Sequence, residues 1–329
     1  MKKQILLAIK IILSGIILAY LQSIIPLNEI IDSIRSTNLL LFIVGILLAT
    51  PINYLSALET QYLTRIQGID LSVYEILKIH LATSFYGLFL PGILSGGAVK
   101  WYKFSKYGTK TSAAAVVVFN RFLEILMIVF LGIIFSIPAF YSLGNQKLFV
   151  VFVFMLFSTI LLYFLLLNKS GLDFIEKIFL ILPLPNFIRG LVGKFANAMR
   201  QFRNLHLKEH FEIIGLLFLY HGIGVLSFYC FAKSLNINLS IWVIGWIRSA
   251  MALAIMLPLS FVGLGIREGT LVFLFGQYGV MPNVSMALSL LFFSRNILTS
   301  LLGGLFEFNE FAYSKKKKET NSVNIIDKN

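Results

Sequence analysis

Two short stretches of this chain combine proline, glycine and charge inside otherwise apolar sequence. The first, Pro91-Gly92-Ile93-Leu94-Ser95-Gly96-Gly97, closes on Lys100; the second runs from Pro258 through Gly263-Leu264-Gly265 to Arg267-Glu268-Gly269. Backbone broken at membrane depth is tolerated only where protein buries it or a polar cavity solvates it. Matched breaks in two halves of a membrane protein point to a substrate site. A helix restarting after a glycine run turns free amides toward the break, which favours an anion there.

The other chemistry-bearing residues are ionisable groups within apolar runs, where a charge is costly and therefore suspect. Arg121 and Glu124 lie three apart, on one helical face. Two readings of that pair compete: an anion site in which Arg121 binds a phosphate and Glu124 holds or releases it, or a self-neutralised brace. Arg295 falls mid-way along the last apolar run with no acid within a turn, so it requires a partner from elsewhere. Arg248 is closer to the outer surface and reads as a snorkelling side chain. His80 and His221, each alone on an apolar segment, read as structural. The candidate substrate-binding set is Gly96, Gly97, Lys100, Arg121, Glu124, Gly263, Gly265, Arg267, Glu268 and Arg295. HExxH, Walker-type and GxSxG patterns are all absent, as is any Cys/His cluster, so no catalytic residue, metal or cofactor is expected.

The elements that must position these residues are membrane helices. The chain is 58% hydrophobic and only 13% charged, with a mean hydropathy of +0.85; ordinary globular proteins carry about 25% charge. The single cysteine, Cys230, excludes a disulfide framework. The net charge of +13 is sorted by loop instead of being gathered on one face. Basic clusters at Lys2-Lys3, Lys100–Lys110, Lys169–Lys208 and Lys315–Lys318 alternate with connections that are nearly free of them, a positive-inside pattern and not a nucleic-acid surface.

This sorting predicts an all-α polytopic protein with both termini cytoplasmic and spans near 5–25, 38–58, 112–137, 148–167, 211–232, 241–260, 266–281 and 284–310; the stretch 266–281 is short for a span, and a second re-entrant loop is its alternative. The first segment follows Lys2-Lys3 as a signal peptide would, but its length and Lys10 read as a retained span. Segment 76–97 is expected to re-enter, turning at Pro91-Gly92, because a full crossing would put Lys100 to Lys110 outside. Leu27, Ile30, Ile31 and Ile34 form a short amphipathic face on the outer side, opposite Glu29, Asp32 and Arg35. A second apolar face runs from Phe187 to Phe202 opposite Arg189, Lys194, Arg200 and Arg203, and suits an anionic inner leaflet. The expected organisation is one integral membrane domain over 1–314, containing a cytoplasmic amphipathic connection at about 168–210, then a basic and polar tail over 315–329 expected to be disordered.

Taken together, Pro91-Gly92-x-x-Ser95-Gly96-Gly97-x-x-Lys100-x-Tyr102, followed by Arg121-Phe-Leu-Glu124, resembles the first signature of the flippase-like family that includes the membrane region of lysylphosphatidylglycerol synthase. Pro258 through Gly263-Leu264-Gly265-Ile266-Arg267-Glu268 resembles its second and more specific signature. The resemblance extends from about Leu6 to Glu310. Asn120 stands where that family usually has an acid, Ala98 where an aspartate often follows the glycines, and Phe261-Val262 where small residues are common. The resemblance implies lipid flipping or lipid-linked glycoconjugate transport, not lysine transfer, because no aminoacyl-transferase domain accompanies the membrane region; the paired breaks imply two pseudo-related halves.

The combined expectation is a multi-pass protein of the cytoplasmic membrane that moves an anionic phospholipid or a lipid-linked glycoconjugate between leaflets. Arg121, Arg267, Arg295 and Lys100 would hold its headgroup phosphate, while Glu124 and Glu268 balance charge and either carries a coupling proton. The two glycine breaks would converge on one anion site. A homo-oligomer, or an envelope-synthesis enzyme as partner, fits equally well. Two other classes remain: an integral-membrane glycosyltransferase or its accessory subunit, using Glu29 and Asp32, and a non-transporting scaffold. On the predicted topology, a Ser105→Cys variant in a Cys230→Ser background resists a membrane-impermeant thiol reagent in whole cells; efficient labelling from outside overturns both the hairpin and the sidedness.

Overall fold

The computed structural model describes residues 12, 15–89, 94–143, 146–167, 170–174, 177, 186–256 and 263–326. Among them every regular element is helical. In chain order these are α1 (Gly15–Ile24), α2 (Leu27–Arg35), α3 (Leu39–Ile66), α4 (Val73–Phe89), α5 (Leu94–Phe104), α6 (Lys110–Leu143) and α7 (Gln146–Leu167). Then follow α8 (Asn186–Gln201), α9 (Leu207–Ser234), α10 (Ile241–Met256), α11 (Ile266–Gly276) and α12 (Pro282–Ile326). Four stretches are long and apolar enough to cross a membrane: Leu39–Ile66, Lys110–Pro138, Leu207–Ser234 and Pro282–Phe308. The pair α1 and α2, bent by 81°, makes a fifth candidate; Pro26 stands at the bend as the cap of α2.

The chain repeats itself. Helices α3 to α6 and α9 to α12 run long, medium, short, long, with α3 and α9 at 28 residues each, α4 and α10 at 17 and 16, and α5 and α11 at 11 each. In both repeats the medium and short helices fold back on each other. Glu75, Lys78 and Ile79 at the start of α4 line the same small cavity as Lys103, Lys106 and Tyr107 at the end of α5. A Cβ on Gly96 of α5 would sit 3.4 Å from Thr83 of α4. In the second repeat, the Trp246 indole N–H of α10 donates to the Tyr278 hydroxyl just beyond α11 at 2.9 Å. The first hairpin has the geometry expected of segment 76–97, although its turn at Pro91-Gly92 lies outside the described residues.

The second hairpin bears on the choice left open for 266–281. Segment 241–260 read as a span and 266–281 as a short span or a re-entrant loop; α10 and α11 are antiparallel arms about 24 and 16 Å long, short of a hydrocarbon core of about 30 Å. A hairpin and a pair of spans return the chain to the same side. Loop charge therefore cannot tell them apart.

The halves hold each other by exchanging these hairpins. Helix α4 docks on α12 of the other half, and α10 docks on α6. Small residues let the backbones approach, as membrane packing requires. A Cβ on Gly303 of α12 would collide with the Leu81 carbonyl of α4, and the Ser300 hydroxyl donates to the Ser84 carbonyl at 2.9 Å. At the mirrored contact, a Cβ on Gly245 of α10 would come within 2.6 Å of the Phe135 ring of α6. Between the long helices, the Ser227 hydroxyl of α9 donates to the Gly45 carbonyl of α3 at 2.7 Å. Two apolar cores flank this junction, one around Phe228, Phe231, Trp246 and Phe275, the other around Phe104, Phe119 and Phe202.

Two further features differ from the sequence reading. Helix α3 runs to Ile66 rather than stopping at 58. The apolar face of α8 turns partly onto the bundle and not wholly onto a leaflet: Met199 is buried, Phe202 just beyond it stacks on Phe119 at 4.3 Å, and the Gln67 amide donates to the Ala198 carbonyl at 2.7 Å. Gly303→Ala is expected to lower stability by about 1–3 kcal/mol through overpacking against backbone. Gly215→Ala, where a Cβ meets nothing within 4 Å, should not; thermal unfolding of the two variants in detergent makes the comparison.

Candidate functional site

Helix α3 carries a glutamate that the sequence reading passed over, because it ended the span one residue too early. Glu59 is fully buried. Its Oε2 accepts from Asn120 Nδ2 at 2.8 Å and from the Thr60 hydroxyl at 3.2 Å. Asn120 Oδ1 in turn faces Lys100 Nζ at 3.5 Å. The amide thus bridges an acceptor-only carboxylate and a donor-only ammonium, which only a side chain with one donor end and one acceptor end can do. Thr60 also meets His80 Nε2 at 3.3 Å. The second carboxylate oxygen, Oε1, is buried with no partner among the described residues.

Arg121 and Glu124 form the predicted pair on α6 at 3.0 Å, with the arginine side chain 47% exposed and the glutamate 19%. Tyr220 on α9 is within electrostatic range of Glu59, Arg121, Glu124 and Arg248, so it links this cluster to the second half. Its hydroxyl, both ring nitrogens of His221, and Arg248 Nε are buried without hydrogen-bond partners among the described residues. Arg248 does not snorkel away. Its guanidinium lies against Gly224 of α9, where any Cβ would collide with it. Arg295 of α12 stands 5.8 Å from the Phe292 ring centroid.

The second glycine break is closed on itself. Gly263 and Gly265 have φ of 77° and 82°, a left-handed backbone that favours glycine. The turn lets the Glu268 carboxylate accept the Gly265 N–H at 2.7 Å. Glu268 also pairs with Arg267 and accepts from the Ser289 hydroxyl at 2.9 Å. Arg267 donates to Ser289 at 2.7 Å and lies over the Phe293 ring, 4.5 Å from its centroid. Both charged side chains are buried. The amide end offered to an anion by the sequence reading is already occupied by the protein's own carboxylate.

Of the sequence-predicted residues, Lys100 therefore joins Glu59 through Asn120, Arg121 pairs with Glu124, and Arg295 stands over Phe292. Gly96 and Gly97 serve as close-packing positions against Thr83 and Val117. Among the described residues no hydrogen bond or ion pair joins the Lys100 cluster to Arg267–Glu268, and Pro258 to Val262 lie outside the described residues. Reasoning from sequence passed over Glu59 and Tyr220, and it read Arg248 as snorkelling and His221 as structural. For Glu59 a signal existed: one acid in an apolar 28-residue helix.

Removing one member of a buried charge set strands the other, at a cost of about 3–5 kcal/mol. Glu59→Ala should therefore unfold well below wild type in detergent, whereas Glu59→Gln with Lys100→Met should recover most of the loss. Equal melting of all three proteins excludes the network.

The model of the lysylphosphatidylglycerol synthase transmembrane region matches residues 7–304 of this chain. A UPF0104 membrane protein of Methanothermobacter thermautotrophicus is 24% identical over 303 residues, covering 85% of this chain and 88% of that protein. No solved structure matches significantly. With the paired hairpins and both signatures in place, the chain belongs to the family of the lysylphosphatidylglycerol synthase transmembrane region, as a member whose matched region is the membrane domain.

Proposed function

We propose that this protein moves a phosphate-bearing lipid between the leaflets of its membrane. One observation carries the reading. Polar groups from both halves, on α3, α6, α9, α10 and α12, gather at mid-helix depth, and several of them have no partner among the described residues. Tyr220 lies about 20 Å along α9 from Leu207, close to the middle of a span. Elsewhere the bundle presents large apolar residues outward, among them Phe154, Phe157, Phe211, Phe218 and Leu305. A protein built only to anchor or brace gains nothing from unpaired polar atoms held in such a place.

The transport reading also suits the paired hairpins, which are the part of a carrier fold where irregular backbone meets a substrate. The glycosyltransferase alternative leaned on Glu29 and Asp32. Asp32 pairs with Arg35 at 3.6 Å on a surface where both side chains are more than 70% exposed; a solvated helix face accounts for it.

Reconstituted into vesicles with a fluorescent phospholipid, the wild-type chain should exchange lipid between leaflets faster than protein-free vesicles do, as read by surface quenching. Replacing Arg121 and Glu124 together by glutamine removes the pair without stranding a charge, and should slow that exchange about tenfold, the effect of losing a charged hydrogen bond. Wild-type vesicles no faster than empty ones end the transport reading. Full activity in the double variant removes the pair from the path.

A further inference from the structure

Charge balance in the interior identifies what this site is built to hold. Lys100 faces Glu59 across Asn120, Arg121 pairs with Glu124, and Arg267 pairs with Glu268. Each of these cations faces an acid, directly or across Asn120. Arg248 and Arg295 remain, and neither has a carboxylate within ion-pair distance among the described residues.

Both arginines are tied to one face of α9 through their neighbours. Tyr220, Gly224 and Phe228 recur every four residues, and so share one face of α9. Arg248 rests on Gly224 at the centre of that face. Phe228 meets Phe292 of α12 edge-on at 5.2 Å, and Arg295 stands over the same Phe292 ring. The Tyr220 hydroxyl, in a residue only 7% exposed, and the ring nitrogens of His221, at 6%, have no hydrogen-bond partner among the described residues. His221 and Tyr220 both feel the charge of Arg248. Two like charges held together in an apolar interior are strongly unfavourable unless an anion joins them. Unpartnered donors beside them are what that anion would use.

Resting on the transport reading above, we propose that Arg248, Arg295 and Tyr220 form a subsite for a dianionic phosphate, that is, a phosphomonoester or diphosphate, in preference to the singly charged phosphodiester of common phospholipids. A diester neutralises one guanidinium and leaves the other stranded; a dianion neutralises both. Guanidinium forks match phosphate oxygens in pairs, and the phenol supplies a further donor. The same chemistry could be presented by a lipid phosphate or by a soluble one.

The test is native mass spectrometry of the purified full chain in detergent at pH 8, where a phosphomonoester carries two charges. The probes are phosphatidic acid, phosphatidylglycerol, diacylglycerol and inorganic phosphate. Phosphatidic acid should bind about tenfold more tightly than phosphatidylglycerol, with diacylglycerol unbound. Arg248→Gln and Arg295→Gln should each abolish that preference, and Tyr220→Phe should reduce it. Arg248→Lys, which keeps the charge but loses the fork, should retain part of it.

A readout on the empty protein separates a binding role from a structural one. Removing one of two repelling arginines should raise the melting temperature of the ligand-free chain, whereas removing a structural arginine lowers it. Competition by inorganic phosphate at comparable concentration supports the subsite and identifies a soluble source; its failure to compete identifies a lipid. Equal binding of the two phospholipids, or a preference that survives both glutamine variants, overturns the proposal. Absent lipid exchange with the preference intact ends the transport reading and leaves the subsite standing. Exchange without preference does the reverse.

Discussion

An ionised side chain at membrane depth has to be matched, and the interior of this protein is organised around how that requirement is met. Three sets of charges meet it locally, each by a different device. Glu59 and Lys100 use an amide bridge. Arg121 and Glu124 use one turn of a single helix. Arg267 and Glu268 use a hydroxyl, a glycine amide and an aromatic face. In a medium of low dielectric a well-satisfied set costs little, whereas an unmatched charge is very costly. The contrast between those sets and the Arg248–Arg295 pair is therefore the most informative asymmetry in the molecule.

The exchanged hairpins make this arrangement possible. Each repeat carries a medium arm of 16 or 17 residues that folds against its short partner. Because each arm docks on the final helix of the opposite repeat, the halves cannot separate without exposing the glycine contacts at Gly303 and Gly245. The two repeats have nevertheless diverged in chemistry. His80 and Arg248 are both eighth in their respective arms, yet one meets Thr60 and the other lies against Gly224. A shared scaffold has been filled with different charges in its two halves.

The scaffold was largely legible in the sequence and the pairing was not. Proline and glycine declare a break by themselves, so both hairpins were visible as interruptions, and hydropathy located the long helices. What loop charge could not supply was the difference between two spans and a hairpin, since both have the same parity. Partner choice was harder still. Spacing along one helix finds Arg121 with Glu124, but Lys100 finds Asn120, and Arg248 finds Gly224, only after other helices arrive. The second break misled for a related reason. Its glycines do free a helix end, as the sequence implied, but Glu268 is also in the first turn and reaches back to fill it.

The ties across the junction also constrain how the two halves can move. Lys103 pairs with Glu307, which also accepts from the Tyr86 hydroxyl at 3.0 Å, joining both arms of the first hairpin to α12. Arg295 is on that same helix, three turns before Glu307, while Lys100 is one turn before Lys103 on α5. A shift of the first hairpin along α12 would therefore change the spacing between the Glu59–Lys100 network and the Arg248–Arg295 pair, with no change inside either. Ion pairs at the ends of an element can be remade after a small slide, whereas the glycine contacts between helix backbones resist separation. The first hairpin and α12 are thus the surfaces across which an anion bound at the two arginines would be felt by the carboxylate of the other half, and the side chains that would register it are Tyr220 and Glu59.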